Sequence, residues 1–163
     1  MIHVIRLRGP WSYMPVARWN RSSEGEWQLT TDALPGGGSV PLPGDWSCVL
    51  GEDFFGSVLF TRAFRCPESL ANAARVWLAI EEVEWQANAK LNGQALGNVV
   101  GDLLREGSQD HTCPARFDIT KLLQTSNLLA ITVTSRPQIT DEGQLGYLGL
   151  VRLEIEEAGH ELE

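Results

Sequence analysis

Val76-Trp-Leu-Ala-Ile-Glu-Glu-Val-Glu-Trp-Gln-Ala-Asn-Ala-Lys-Leu-Asn-Gly-Gln-Ala-Leu-Gly97 joins two runs of alternating residues to an Asn-Gly pair. Asn92-Gly93 predicts a two-residue type I′ turn, because both central residues of that turn take positive φ, which Asn and Gly tolerate best. On its N-terminal side Ala87, Ala89 and Leu91 alternate with Asn88, Lys90 and Asn92. One face of this segment is therefore apolar and the other wet, as in an antiparallel, half-exposed strand.

The same period recurs along the chain with turn signals between segments, and predicts a sandwich. Ile2–Leu7 reads as the first strand and Trp11–Trp19 as an irregular aromatic segment. Glu26–Thr30 pairs locally before the glycine-rich turn Leu34–Ser39. Val58, Phe60, Arg62 and Phe64 share one side of 57–65. Val76, Leu78 and Ile80 form an inward stripe, with Arg75, Trp77 and Glu81 facing away. Leu129, Ile131 and Val133 form another stripe, and Val151, Leu153 and Ile155 close the sheet. Expected helix is limited to Glu68–Ala74 and one turn over Ile119–Leu123, with Asp118 as its N-cap.

Several of these stretches resemble the sugar-binding, jelly-roll domain at the N-terminus of family 2 glycoside hydrolases, the beta-galactosidase and beta-glucuronidase type. Glu82–Gly97 is similar to the family's G-V-D-x-x-A-x-V-x-L-N-G-x-x-[LV]-G, and Phe117-Asp118-Ile119-Thr120 to its F-D-[IV]-T. Leu42-Pro43-Gly44-Asp45-Trp46 resembles P-G-x-W, and Phe60–Phe64 resembles Y-R-R-x-F. Asn127–Val133 and Gly146–Ile155 resemble the strands N-x-L-A-V-x-V and G-[IL]-x-x-x-V-x-L. The resemblance covers roughly residues 40–157, preceded by an N-terminal strand and aromatic segment over 1–39. It implies an all-β, antiparallel galactose-binding-like sandwich, one domain over 1–163. It brings no catalytic machinery, since the family's catalytic carboxylates lie on a separate barrel that needs about 250 residues.

The 163 residues suffice for one core without staples. A net charge of −8 disfavours nucleic acid or an anionic membrane as partner, because an acidic surface releases no counterions from a phosphate backbone. Arg6-Leu7-Arg8 and Arg18-Trp19-Asn20-Arg21 form a small positive N-terminal zone and read as solvated strand faces. No apolar run reaches membrane-span length and Met1–Arg8 alternates like a strand, so the expectation is a cytoplasmic chain, a secreted parent with a trimmed signal staying open. Cys48, Cys66 and Cys113 follow no metal or redox spacing and read as reduced, mostly buried thiols.

In sandwiches of this resemblance ligands sit on loops at one end. Three segments qualify: Asn98–Pro114, Arg136–Gly146, and the turn at Glu84-Trp85. The first departs from the family's H-x-G-G-[YF] loop, keeping glycines but lacking the initial histidine and final aromatic. Asn98, Asp102, Arg105, Glu106, Gln109, Asp110 and His111 supply amides and charges that bind vicinal hydroxyls; a polar solvated loop is the alternative. Indole faces stack on pyranose rings, which adds Trp85; Trp46 and Trp77 read as structural, and Trp11, Tyr13, Trp19 and Trp27 pack across the sandwich or build an exposed platform.

Catalysis by the chain alone has thin support, since Asp102 or Asp110 with Glu106 would form a solvated carboxylate pair with neither pKa raised. No cofactor is implied; a structural calcium would lack the D-x-D-x-D-G spacing. Three functions stay open: a non-catalytic carbohydrate-binding module taking a saccharide or glycan, a protein-interaction or assembly domain on the same frame, and an accessory subunit of a glycoside hydrolase.

Overall fold

The computed structural model describes residues 1–66, 73–101, 114–137 and 146–159. Two antiparallel sheets face each other. One has four strands in the order β1 (Ile2–Arg6), β11 (Val151–Glu157), β6 (Ala73–Ile80) and β9 (Ala115–Asp118). The other runs β3 (Trp27–Thr30), β2 (Gly9–Arg21), β5 (Gly56–Arg65), β10 (Ser126–Thr134), β7 (Gln86–Leu91) and β8 (Gln94–Val100), with β4 (Gly38–Leu42) on the first half of β2.

The apolar stripes read from the sequence meet between the sheets. Val76, Leu78, Ile80, Val151, Leu153 and Ile155 come from the smaller sheet. Val58, Phe60, Ala87, Ala89, Leu91, Leu129, Ile131 and Val133 come from the larger one, in the same buried cluster. Each large apolar side chain so placed contributes about 1.5–3 kcal/mol relative to exposure.

The Asn92-Gly93 turn forms as expected, with φ of 51° and 81° and Leu91 directly opposite Gln94. Asn92 also ties this end of the sandwich together. Its amide donates to the carbonyl of Leu122 at 3.1 Å and to Asn127 Oδ1 at 3.0 Å, and its Oδ1 accepts the N–H of Leu128 at 2.9 Å. The turn after Asp118 is also present, with the N–H groups of Leu122 and Leu123 donating to the carbonyl of Ile119.

Four expectations change. Trp11–Trp19 is not irregular: it lies within the thirteen-residue β2, which pairs with β5 along one side and with β4 and β3 along the other. A bulge between Pro15 and Ala17 had hidden the alternation. Ala73 and Ala74, expected to end a helix over 68–74, instead open β6, because the ladder to β11 outweighs alanine's helix propensity; the rest of that segment lies outside the described residues. Val151–Ile155 does not close its sheet but lies between β1 and β6, and β1 takes the edge. Cys48 is exposed and Cys66 half-buried, since Cys48 sits on the single turn α1 (Ser47–Leu50), which buries none of its residues; Cys113 lies outside the described residues.

Trp46 anchors the opposite end. It is fully buried, donates its indole N–H to the carbonyl of Phe54 at 3.2 Å, and meets the Phe54 ring edge-on at 5.8 Å. Gly146 crosses this indole at a φ of 65°, so close that a Cβ there would run into the ring. Leu148 beyond it bridges both Gly44 and Val83, fixing the segment between the sheets.

Candidate functional site

The end of the sandwich carrying Trp46 also holds the start of β7 and the end of β10, where sequence placed a ligand. Glu84 lies there but faces inward. Its side chain is 5% exposed, and Oε1 accepts the Arg136 Nε–H at 2.7 Å. Glu84 therefore joins the turn before β7 to the segment after β10 and is committed to structure. Its Oε2 is buried without a hydrogen-bond partner among the described residues.

Trp85 follows, half-buried, with its ring 6.3 Å from that of Trp19 at a tilt of 60°. The carbonyl of Trp85 accepts the N–H of Gly101, which ties the end of β8 to this turn. Trp19 is itself oriented by its indole N–H, donated to the carbonyl of Ser135 at 2.8 Å. The two indoles form one aromatic unit at the junction of three connections.

Two grooves lie near this end, and Trp19 lines the second of them. The first, of about 260 Å³, is lined among the described residues by Gln86, Ala87, Asn88, Asn98, Val99, Val100 and Thr134. Asn88 and Asn98 stand directly opposite each other in the β7–β8 pair, and the next position pairs Gln86 with Val100. Period-two alternation puts all three amides on the outer face, while Ala87 and Ala89 face the core. The Thr134 hydroxyl is engaged with that of Ser57 at 2.7 Å, so the amides supply the groove's donors and acceptors.

The second groove, of about 670 Å³, is lined among the described residues by Arg18, Trp19, Asn20, Arg21, Trp27, Asp53, Phe55 and Pro137. The β2–β3 hairpin builds it. Trp19 pairs with Leu29 and Arg21 with Trp27, so two indoles and a guanidinium share one face. The Arg21 guanidinium lies 5.0 Å from the Trp27 ring centroid. Arg18 is held from two sides, donating to the carbonyl of Ala33 at 3.2 Å and lying 5.7 Å from the Phe54 ring centroid.

Of the residues expected at the site, Asn98 and Trp85 are thus placed at neighbouring features. Asp102, Arg105, Glu106, Gln109, Asp110 and His111 lie outside the described residues, as does 138–145 of the other expected loop. The N-terminal aromatics divide: Trp11 is a core residue, Trp19 is partly buried, and Trp27 is exposed. Trp77 covers the outer face of the smaller sheet, donating to Glu156 Oε1 at 3.1 Å beneath the Arg116 guanidinium. The hairpin groove escaped the sequence reading because it depends on cross-strand register. The signal available was the interleaving of two arginines with two tryptophans over residues 18–27.

Titration is perturbed at two described groups. Asp118 is held below the usual carboxylate range, first by the Thr120 hydroxyl and then by the Thr120 N–H. Burial pushes the Tyr147 phenol up, with Glu82 and Glu81 adding to it. Neither group lines the two grooves. Among the described residues no three His, Cys, Asp or Glu side chains gather as a metal site would require, and no helix is long and apolar enough to cross a membrane.

The architecture is that of the β-sandwich domain of beta-glucuronidases, in agreement with the resemblance to family 2 glycoside hydrolases. The Bifidobacterium dentium beta-glucuronidase solved with coumarin-3-O-glucuronide matches with a TM-score of 0.67 at 20% identity, over 96% of this chain and 30% of that one. The FMN-binding beta-glucuronidase of Faecalibacterium prausnitzii L2-6 matches with a TM-score of 0.67 at 21% identity, over 96% and 23%. The beta-glucuronidase of Ruminococcus gnavus matches with a TM-score of 0.62 at 17% identity, over 95% and 28%. The chain thus spans less than a third of these chains, and at such identities the likeness is one of fold. No protein-family model and no curated protein matches the sequence.

Proposed function

We propose that this domain is a non-catalytic carbohydrate-binding module that takes a neutral saccharide at the groove between β7 and β8. The observation that supports this reading best is the convergence of Gln86, Asn88 and Asn98 on one outer surface, with Trp85 the residue just before Gln86 in the chain. Planar amides offer a donor and an acceptor side by side, which suits adjacent sugar hydroxyls, and an indole offers a stacking face. The groove lies just below the usual range of about 300–1,000 Å³ for ligand pockets, so it suits one or two sugar rings. Function on this frame rests on the groove and not on the fold. Bond cleavage, in this reading, is carried by another domain or partner, for which the module holds substrate.

A single stacked ring with a few hydroxyl contacts, offset by ordering costs, yields about 4–6 kcal/mol, or millimolar to tens of micromolar affinity. Calorimetric titration with a panel of neutral hexoses and oligosaccharides tests this. Asn98→Ala is expected to weaken binding about tenfold, and Trp85→Ala by at least as much. No heat with any neutral sugar at millimolar concentration, or binding indifferent to both substitutions, replaces this reading with a protein-interaction domain on the same frame.

A further inference from the structure

The β1 edge of the smaller sheet is open. β1 pairs with β11 on one side, and among the described residues nothing pairs with its other side. Open edges invite further strands, and proteins guard them with short strands, prolines and bulges. The other described edges carry such guards. β3 and β9 are four residues long, β4 contains Pro41, and the β7–β8 ladder shifts register between Ala89 and Lys90. β1 has none of these, since its five residues follow β11 in unbroken register from Ile2 to Arg6. It is also apolar where it meets solvent: Met1, Ile2 and Val4 are 87%, 57% and 49% exposed.

Hydrogen bonds flanking β1 fix which backbone groups are free. The N–H of Glu157 donates to the carbonyl of Met1 at 3.3 Å, and the N–H of Leu7 donates to the carbonyl of Val151 at 2.9 Å. In an antiparallel ladder alternate residues turn their N–H and C=O to the same side, so Met1, His3, Ile5 and Leu7 face β11. Ile2, Val4 and Arg6 therefore direct theirs into the open edge. The side chains of the same three residues lie on the outer face, opposite Glu156, Glu154 and Arg152. His3, on the other face, is tied to Glu157 at 2.7 Å.

Charge selects the occupant. Arg6 stands opposite Arg152, a like charge already engaged by Glu81 and Glu154. At the other end of the strand Ile2 stands opposite Glu156, which has Arg75 across from it on β6 and accepts the Trp77 indole N–H. Neither Arg6 nor Glu156 forms an ion pair among the described residues. An antiparallel strand with an apolar centre and a cation at its far end fits this edge, and β1 is itself such a strand. Centred on Val4, a second β1 sets its Arg6 beside Ile2 and about 10 Å from the Glu156 backbone, two strand spacings that the two long side chains can span.

We propose that β1 is a homodimerisation edge, at which the β1 strands of two copies pair antiparallel about a two-fold axis at Val4. Val4 exchanges both backbone bonds with the partner's Val4, and Ile2 with the partner's Arg6, so the two four-stranded sheets become one continuous sheet. This register uses all three free residues, whereas centring on His3 or Ile5 leaves Arg6 or Ile2 without a partner within β1. The amide groove belongs to the other sheet and stays open in both copies, so a saccharide that repeats along its chain meets two grooves at once. The dimer itself does not depend on the saccharide reading.

Five residues a side fall short of the about 20–30 of a standard interface, so a weak, reversible dimer is expected. Sedimentation velocity of the full 163-residue chain, from about 10 to about 300 µM, is expected to show monomer giving way to dimer. Hydrogen exchange resolved by residue is expected to slow over that range at the amides of Ile2, Val4 and Arg6, with those of His3, Ile5 and Leu7 protected throughout. Val4→Pro removes an N–H that points out of the sheet, which edge positions tolerate, and is expected to abolish the dimer at an unchanged melting temperature. Arg6→Glu, at an exposed position, is expected to weaken the dimer about tenfold, and it carries the test if Val4→Pro melts early. A chain monomeric throughout leaves the edge to another polypeptide and overturns the proposal. So does a dimer that survives both substitutions, or one in which the Ile2, Val4 and Arg6 amides stay unprotected.

Discussion

The carboxylate of Asp118 accepts the backbone N–H of Thr120 at 3.1 Å and the Thr120 hydroxyl at 2.6 Å, closing the turn into Lys121 and Leu122. Thr120 in turn accepts the N–H of Val76 on its own hydroxyl at 2.9 Å, so one carboxylate steadies the link between β9 and β6. Both contacts favour the ionised form, and the folded pKa is lowered. A lowered folded pKa means stability that is present above the unfolded value, about 3.9, and lost as pH falls through the folded value. Asp118→Ala is therefore expected to cost about 1 kcal/mol or less near neutral pH, because the exposed carboxylate is solvent-screened. The difference between wild type and variant should shrink as pH drops below about 4. Denaturant melts at pH 7 and pH 3 check both points, and an unmoved midpoint at pH 7 refutes the capping role.

At the scale of the element, period-two alternation made β5, β6, β7, β10 and β11 legible, because each buries one face and wets the other. It failed where the pleat changes phase. In β2, Trp11, Tyr13 and Pro15 point toward the core side, and Ala17 is paired with the outward Ser57 after the bulge. The shift carries Trp19 and Arg21 to the outer face, so the feature that obscured the strand also built the hairpin groove. Asn98 and Trp85 were legible as site candidates from their place beside a turn, whereas the partners of Arg18 and Arg21 follow from register, which sequence does not print. Gly56 sits opposite Arg18, just past the bulge, donating its N–H to Ser135 Oγ at 3.0 Å and accepting the Ser135 N–H at 2.8 Å. A Cβ at this position would run into the carbonyl of Ala17. Gly56→Ala is expected to cost about 1–3 kcal/mol, as overpacking does, and to shift the emission of Trp19, which rests on Ser135. A variant as stable as wild type in urea, with unchanged emission, would show that β2 and β5 need no such close approach.

Across the whole molecule, the two sheets share one buried cluster, and the chain returns to its start: Ile2 of β1 is paired with Glu156 of β11. Such pairings between distant residues close large loops before they stabilise anything, which places folding in the millisecond-to-second range of β-sandwiches. They also mean that neither sheet has a core without the other. Ile131 is fully buried in β10, which lies between β5 and β7, and so belongs to the centre of the core, opposite Phe60 on one side and Ala89 on the other. Ile131→Ala is expected to cost about 2–5 kcal/mol, the range for emptying a buried aliphatic site. The loss should appear as one cooperative transition displaced as a whole. Far-ultraviolet circular dichroism, which reports both sheets, and tryptophan emission, to which the buried Trp11 and Trp46 contribute, should agree with each other on the midpoint, in wild type and in the variant alike. Two separated midpoints would mean that the smaller sheet melts on its own, and that the cluster binding it to the larger one is weaker than its burial implies.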